Sequence, residues 1–544
     1  MHHLSSLDAS FLHFETPETP MHVGSLMLLE LPEGYEGDYY EDVKAVIGKR
    51  VHLASVLTRK LAQMPFELAE PVWIDDDVDI DHHVRSLTLR RPGTMEQLHQ
   101  LIARLHSSLL DRSRPLWEMY VIEGLENGQV AFYTKAHHSG VDGKAGTELA
   151  KVMYDVSAQI REVAPPRRKY GGNRYQLGVA ELLQAAISNT ARQYKLLGQL
   201  LPKAAKALNA AGSVLLSQRR GKGERALNLG LAPKTIFNDS ITNQRSYSTL
   251  SLPFDELKML GKRVGGTVNT IVMAMCASAL RKFLKDRNLL PKEALIAGVP
   301  VSLREAGDDS MNNQVSMVRV DLATDIEDPA ERFKVIHASS EAAKAVVREL
   351  KPVLGVDVPL MGSPWFMTSM ASLYGRSNLA RQSPAMANVL ISNVPGPPAQ
   401  LYVAGARMAS FYPVSIPYHG SSLNITVQSY AGQLDFGLTA CRRILSQEES
   451  YELIANLRAA LKEIERLPSA VPAAAAPAQE PAQQPAKSAD VPAARPAAPQ
   501  VALALNGKKA PRKARAAAKP ASVPAVPARK SAGGRRAAAA KRAS

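Results

Sequence analysis

Two adjacent imidazoles, His137 and His138, followed four residues later by Asp142-Gly143, are the side chains best equipped for chemistry in this 544-residue chain. An imidazole exchanges its proton near neutral pH, so a histidine aimed into a cleft is the usual equipment for general base catalysis. Upstream, Val130, Phe132, Thr134 and Ala136 alternate, which predicts a strand. Continuing that period of two puts His138 on the inward, apolar face and His137 on the other. Downstream, Ala145, Leu149 and Val152 recur at helical spacing, so a helix is expected from near Lys144, with Gly143 as the turn residue. The stretch therefore reads as a strand-to-helix elbow. An inward histidine can also be an ordinary, hydrogen-bonded core residue, so the elbow alone does not decide.

The flanking elements are legible. Pro92-Gly93-Thr94 precedes a helix in which Thr94 caps and Gln97 answers it, with Leu98, Leu101, Ile102 and Leu105 as the buried stripe. Pro115-Leu116-Trp117 starts a strand to Glu123, and Asn127-Gly128 turns the chain back along Val130 to His138. The reactive group thus stands at the far end of a hairpin arm, a rigid place for it. A second acidic and histidine-rich run, Asp75 to His83, has neither the separated ligands of a zinc site nor the turn glycine of a calcium loop. Val78, Ile80 and Val84 make it a solvated loop leading into an edge strand, and no metal is expected.

Composition bounds the rest. Only two cysteines, Cys276 and Cys441, stand far apart, which argues against a disulfide framework and suits a reducing compartment. The N-terminus lacks an apolar signal segment, and the longest apolar run, Ile271 to Leu280, is too short to span a bilayer. A cytoplasmic protein, soluble or peripheral to a membrane, is expected. The net charge of +15 is concentrated: from Ser469 onward there are fourteen Lys or Arg against two acids, Glu480 and Asp490. That Ala/Pro/Lys/Arg tail cannot bury enough apolar surface to order itself, and it could bind anionic lipid or nucleic acid by charge alone. Residues 180–219 form a basic amphipathic stretch that suits either a lipid surface or an inter-domain crossover.

His137-His138-Ser139-Gly140-Val141-Asp142-Gly143 resembles the HHxxxDG signature of the CoA-dependent acyltransferase superfamily. Several separated stretches resemble one branch of it, the bacterial wax ester synthase/diacylglycerol acyltransferases: Leu7-Asp8-Ala9-Ser10-Phe11, Pro20-Met21-His22-Val23-Gly24, and Ser392-Asn393-Val394-Pro395-Gly396-Pro397. Gly298 to Arg304, Asn312 to Ser316 and Asp435-Phe436-Gly437 are similar to second-domain motifs. Two departures stand out. Thr270 follows Asn269 where the family has Asn-Asp, and Cys441 stands where the group usually shows an aspartate.

The resemblance covers residues 4 to 467. It implies an α/β fold of two chloramphenicol acetyltransferase-like domains, each a mixed sheet flanked by helices. The expected divisions are 1–165, a helical connector at 166–243, a second domain at 244–467 and a disordered tail at 468–544. It implies transfer of a long acyl chain from acyl-CoA, a co-substrate rather than a bound cofactor, to the hydroxyl of diacylglycerol or a fatty alcohol. His138 would be the general base, His137 a supporting residue and Gly143 the turn. Asp142 would be structural, with Arg304 as its partner, and Asn269 an oxyanion or positioning donor. Met361, Met367 and Met370 could line an acyl channel or simply fill the core. The working place would be the inner membrane or a lipid-inclusion surface. Two other readings remain: a non-catalytic granule-associated protein acting through its basic tail, and an acyltransferase of the same fold with another acceptor.

Overall fold

The computed structural model describes residues 2–62, 70–141, 146, 149–150, 152–166, 230–302, 315–354, 369, 373–374 and 379–470. From the N-terminus run β1 (His2–His3), α1 (Ser6–Phe14), β2 (His22–Glu30), α2 (Tyr39–Arg50), β3 (Arg59–Ala62), β4 (Val72–Asp75), β5 (Val84–Thr88), α3 (Met95–Ser107), β6 (Trp117–Glu123) and β7 (Val130–His137). There follow β8 (Arg245–Pro253), α4 (Phe254–Arg263), α5 (Val268–Lys285), β9 (Ile296–Ser302), β10 (Val315–Asp321), α6 (Pro329–Leu354), β11 (Val389–Val394), β12 (Tyr402–Val403), β13 (Ala406–Val414), β14 (Leu423–Tyr430), β15 (Gln433–Cys441) and α7 (Gln447–Glu465).

Two six-stranded sheets dominate, ordered β12-β13-β2-β7-β6-β5 and β10-β9-β11-β14-β15-β8. Both are mixed, as the resemblance implied: β5 runs parallel to β6, and β11 runs parallel to both β9 and β14. Helices cover them. In α3, Leu98 and Ile102 are buried, and the Thr94–Gln97 capping box is present as the sequence predicts. Helix α5 is apolar nearly all round because it is buried nearly all round, from Thr270 to Leu284. Among the described residues no single helix is long and apolar enough to cross a membrane. Helix α7 carries a cap of the same kind, with Ser446 and Glu449 bonded reciprocally.

The two halves of the sequence are braided. Strand β13, from the second half, pairs antiparallel with β2 from Arg407 opposite Glu30 to Val414 opposite Gly24. β2 therefore has a partner on each side and leaves no edge exposed. β13 also touches β15: Asp435 is fully buried and accepts the Phe411 N–H at 2.8 Å and the Ser251 hydroxyl at 2.6 Å. Gly437 lets the backbones approach so closely that a Cβ there would lie 1.8 Å from the Pro413 carbonyl oxygen. A division of the sequence at consecutive boundaries would not separate these sheets.

The Asp75–His83 run leads into an edge strand, β5, as expected, but it is not simply a solvated loop. Asp79 caps a single helical turn, Ile80–His83, by accepting the His82 N–H. His83 is 1% exposed, sits 2.7 Å from the Trp117 carbonyl oxygen and stacks on the Trp117 ring. The stretch 180–219 and nearly all of the tail lie outside the described residues.

Candidate active site

β7 lies between β2 and β6, and all eight of its residues are buried. Both faces are covered, so the alternation that assigns one histidine inward and the other outward loses its meaning here. The strand ends at His137, which is 1% exposed, and His138 begins the turn. Contrary to expectation, His137 is the deeper of the two. Its N–H donates to the Leu116 carbonyl at 2.9 Å, and its carbonyl accepts the Gly140 N–H at 3.0 Å, which closes the turn.

His138 is held by residues near the N-terminus. Its N–H donates to the Met21 carbonyl at 2.9 Å, and its ring stacks on Phe11 with centroids 4.1 Å apart and planes 13° from parallel. The ring is half-buried by exposed area, yet protein surrounds it densely. That burial, with the nearby His137 acting in the same direction, pushes its pKa down to about 4. At neutral pH the imidazole is uncharged and able to accept a proton.

His137 has a different set of partners. Its Nδ1 accepts the Ser139 N–H at 3.1 Å and lies 2.7 Å from the Ser139 hydroxyl. An Nδ1 that accepts from an amide places the ring hydrogen on Nε2, which faces Glu15 Oε1 at 3.3 Å. Glu15 stands just beyond α1 and is 7% exposed. Its Oε1 also accepts the Met21 N–H at 3.0 Å, while Oε2 takes both Nε and Nη2 of Arg112 at 3.1 and 2.8 Å. Burial by itself would raise this carboxyl. The His137 ring, the Arg112 guanidinium and the Met21 amide outweigh it and hold Glu15 at about 2, fully ionised.

Of the residues expected from the second half, Asn269 lies in the first turn of α5, with its Oδ1 3.5 Å from Asn393 Nδ2. Two motifs that are far apart in sequence thus meet. Thr270 does not stand in for a carboxylate. It is 1% exposed, completes a capping box with Thr267 and lies 3.1 Å from His337 Nδ1. Cys441 is fully buried, with its sulfur 3.4 Å from the Thr242 amide nitrogen. Asp142, Gly143 and Arg304, together with Met361, Met367 and Met370, lie outside the described residues.

Sequence reasoning missed Phe11, Glu15, Met21, Arg112 and Leu116 as parts of the site. A signal was present for Phe11, Met21 and Leu116, which sit within the Leu7–Phe11, Pro20–Gly24 and Pro115–Trp117 stretches, while nothing local marked Glu15 or Arg112. Together they make a neutral, desolvated imidazole on a pinned backbone, with a fixed carboxylate behind its neighbour. Such an arrangement can take a proton from a hydroxyl and return it to a leaving group.

Residues 4–272 match the wax ester synthase/diacylglycerol acyltransferase catalytic domain, and residues 311–465 match the WS/DGAT C-terminal domain. A putative diacylglycerol O-acyltransferase of Mycobacterium tuberculosis is 36% identical over 467 residues, spanning 85% of this chain and 99% of its own length. The O-acyltransferase WSD of Acinetobacter baylyi is 31% identical over 473 residues, spanning 86% of this chain and 97% of its own. Among solved structures, the wax ester synthase/diacylglycerol acyltransferase from Marinobacter aquaeolei VT8 superposes with a TM-score of 0.59 at 30% identity. That match covers 85% of this chain and 98% of the other.

Proposed function

The chain belongs to the wax ester synthase/diacylglycerol acyltransferase family, and from that premise we propose that it moves a long acyl chain from acyl-CoA to the hydroxyl of diacylglycerol or a fatty alcohol. The acceptor oxygen attacks the thioester carbonyl while His138 removes its proton. The tetrahedral adduct collapses with cleavage of the C–S bond, and the imidazolium returns the proton to the departing CoA thiolate. The neutral His138 imidazole, stacked on Phe11 while its own backbone N–H is pinned to the Met21 carbonyl, is the observation that carries this reading.

An acyl-enzyme is not required. Both cysteines are fully buried, and burial pushes the Cys276 thiol up to about 12, far from a usable thiolate. The developing oxyanion needs a donor about 3 Å away, and Asn269, at the opening of α5, is the side chain we assign to that task. From the family resemblance we further propose that Asp142 is structural, with Arg304 as its partner.

The test uses labelled palmitoyl-CoA with diacylglycerol and with a fatty alcohol, offered separately. His138→Ala should abolish both ester products while leaving the melting transition in place. Wild-type turnover in that variant would remove His138 as the base.

The basic tail supports a place at an anionic membrane or lipid-inclusion surface on the cytoplasmic side, since fourteen cations face only two acids from Ser469 onward. Deleting residues 471–544 should release the protein from anionic vesicles at physiological salt. Undiminished binding would show that the tail is not the tether.

A further inference from the structure

We propose that Glu15 is a positioning residue that serves both histidines of the elbow, one through its ring and the other through its backbone. The inference rests on the reading of His138 as the base. One oxygen of the buried carboxylate does two jobs: Oε1 faces His137 Nε2 at 3.3 Å and accepts the Met21 N–H at 3.0 Å. Met21 in turn gives its carbonyl to the His138 N–H at 2.9 Å. A single carboxylate therefore fixes the plane of one imidazole and anchors the strand start from which the other hangs.

The other oxygen explains why this carboxylate stays fixed. Arg112 grips Oε2 with two N–H groups and is itself tied to the Leu12 carbonyl at 2.8 Å. Two charge-assisted N–H bonds converging on one oxygen restrict direction as well as distance. The titratable and charged groups around Glu15 are His137 from the end of β7, Arg112 from the segment before β6, and Lys135, two residues before His137. A buried carboxylate costs stability unless it is paired, and an apolar side chain would fill the space more cheaply. The charge has a use in the reaction. When His138 takes the acceptor proton, positive charge appears in a desolvated pocket, and a fixed negative charge one residue away offsets it. Glu15 does not touch the reacting atoms; it acts through His137 and Met21.

Glu15→Gln tests this in the full chain, because the amide oxygen can still accept the Met21 N–H while the charge is lost. Arg112 has a side chain 37% exposed, so it can be solvated when the partner charge goes. With palmitoyl-CoA and diacylglycerol, kcat should fall between about tenfold and about a hundredfold, as supporting-shell and misplacement effects do. KM and the melting midpoint should hold. In the Glu15→Gln/His137→Asn double variant, the loss should be no greater than that of the worse single variant, since both act along one path.

Arg112→Gln supplies a second readout. With the guanidinium gone, burial is less opposed and the Glu15 carboxyl titrates higher, so the acid limb of kcat should lie at higher pH than in the wild type. Wild-type kcat in Glu15→Gln, fully multiplying losses in the double variant, or an unchanged pH profile in Arg112→Gln would each overturn the assignment. Should Glu15→Gln lose its melting transition, the Arg112→Gln profile decides. The two levels separate cleanly. An active His138→Ala removes the base reading beneath the proposal, whereas an inactive His138→Ala beside a fully active Glu15→Gln removes Glu15 alone.

Discussion

Acidification should loosen the chain where its two halves meet, and buried histidines set how steeply. His99, on α3, lies 3.1 Å from the Tyr451 hydroxyl of α7 and 3.1 Å from Thr249 Oγ1 of β8. About two turns further along the same helix, His106 Nδ1 sits 2.8 Å from the Tyr133 hydroxyl and Nε2 sits 2.9 Å from the Ser415 carbonyl oxygen. Burial pushes His99 down to about 4 and His106 to about 3, the latter helped by Arg245 and Lys135 against the pull of the Ser415 carbonyl. His22, 2.8 Å from the His106 carbonyl oxygen, is driven in the same direction by burial. The sign follows from the proton count. These groups are neutral when folded and charged when unfolded below about pH 6.5, so the unfolded state binds more protons there. Their contribution is complete above pH 6.5 and is lost as pH falls towards 4. For His99, a drop from 6.5 to about 4 is worth about 3 kcal/mol by the low end of that window. Each such histidine adds at most about 1.4 kcal/mol per pH unit to the slope of stability against pH. Urea unfolding of the wild type and of His99→Gln and His106→Gln at pH 7.5, 6.0 and 5.0 measures that slope. Each variant should lose up to about 1.4 kcal/mol per pH unit of it between pH 6.0 and 5.0, and less between 7.5 and 6.0, whatever its stability at pH 7.5. A variant as steep as the wild type would refute the assignment of a buried neutral imidazole to that position.

Arg50→Ala should destabilise by about 3–5 kcal/mol in thermal or urea unfolding, because it strands Asp155. Those side chains are 1% and 4% exposed and meet at 2.8 Å, and Arg161, 3.7 Å away and largely solvated, compensates only in part. Gly437→Ala should cost about 1–3 kcal/mol or more, since the new Cβ meets a backbone carbonyl instead of a movable side chain, and the same melts would show it.

Much of the frame was legible because local physics dictates it. The Asn127-Gly128 turn and the capping box at Thr94 both follow from short-range pattern. The elbow motif was legible for the same reason. What the pattern could not supply was depth. A strand covered on both faces carries no alternation signal, so His137 looked outward when it is nearly sealed. His83 likewise sits in a polar run yet stacks on Trp117. Partners distant in sequence were illegible too. Glu15 and Arg112 are ordinary polar residues until folding brings them within 2.8 Å of each other. Thr270 differs from the family's aspartate, and its role became readable only once Thr267 and His337 were placed around it.

The elbow's geometry therefore depends on segments that the sequence keeps apart. β7 is fixed on one side by β6 and on the other by β2, and β2 owes its second neighbour to β13 from the far half of the chain. β13 is held in turn against β15 through Asp435 and the close approach at Gly437. A perturbation at Gly437 thus has a path of backbone pairing to His137 through β13, β2 and β7. The same logic explains why acid should act on turnover before it melts the sheets. His106 joins α3 to Ser415, the residue that follows β13, so its protonation strains the join between the halves while the sheet hydrogen bonds are still intact. Loss of activity at a pH where the sheets still give their spectrum is the behaviour expected of a site held across such a join.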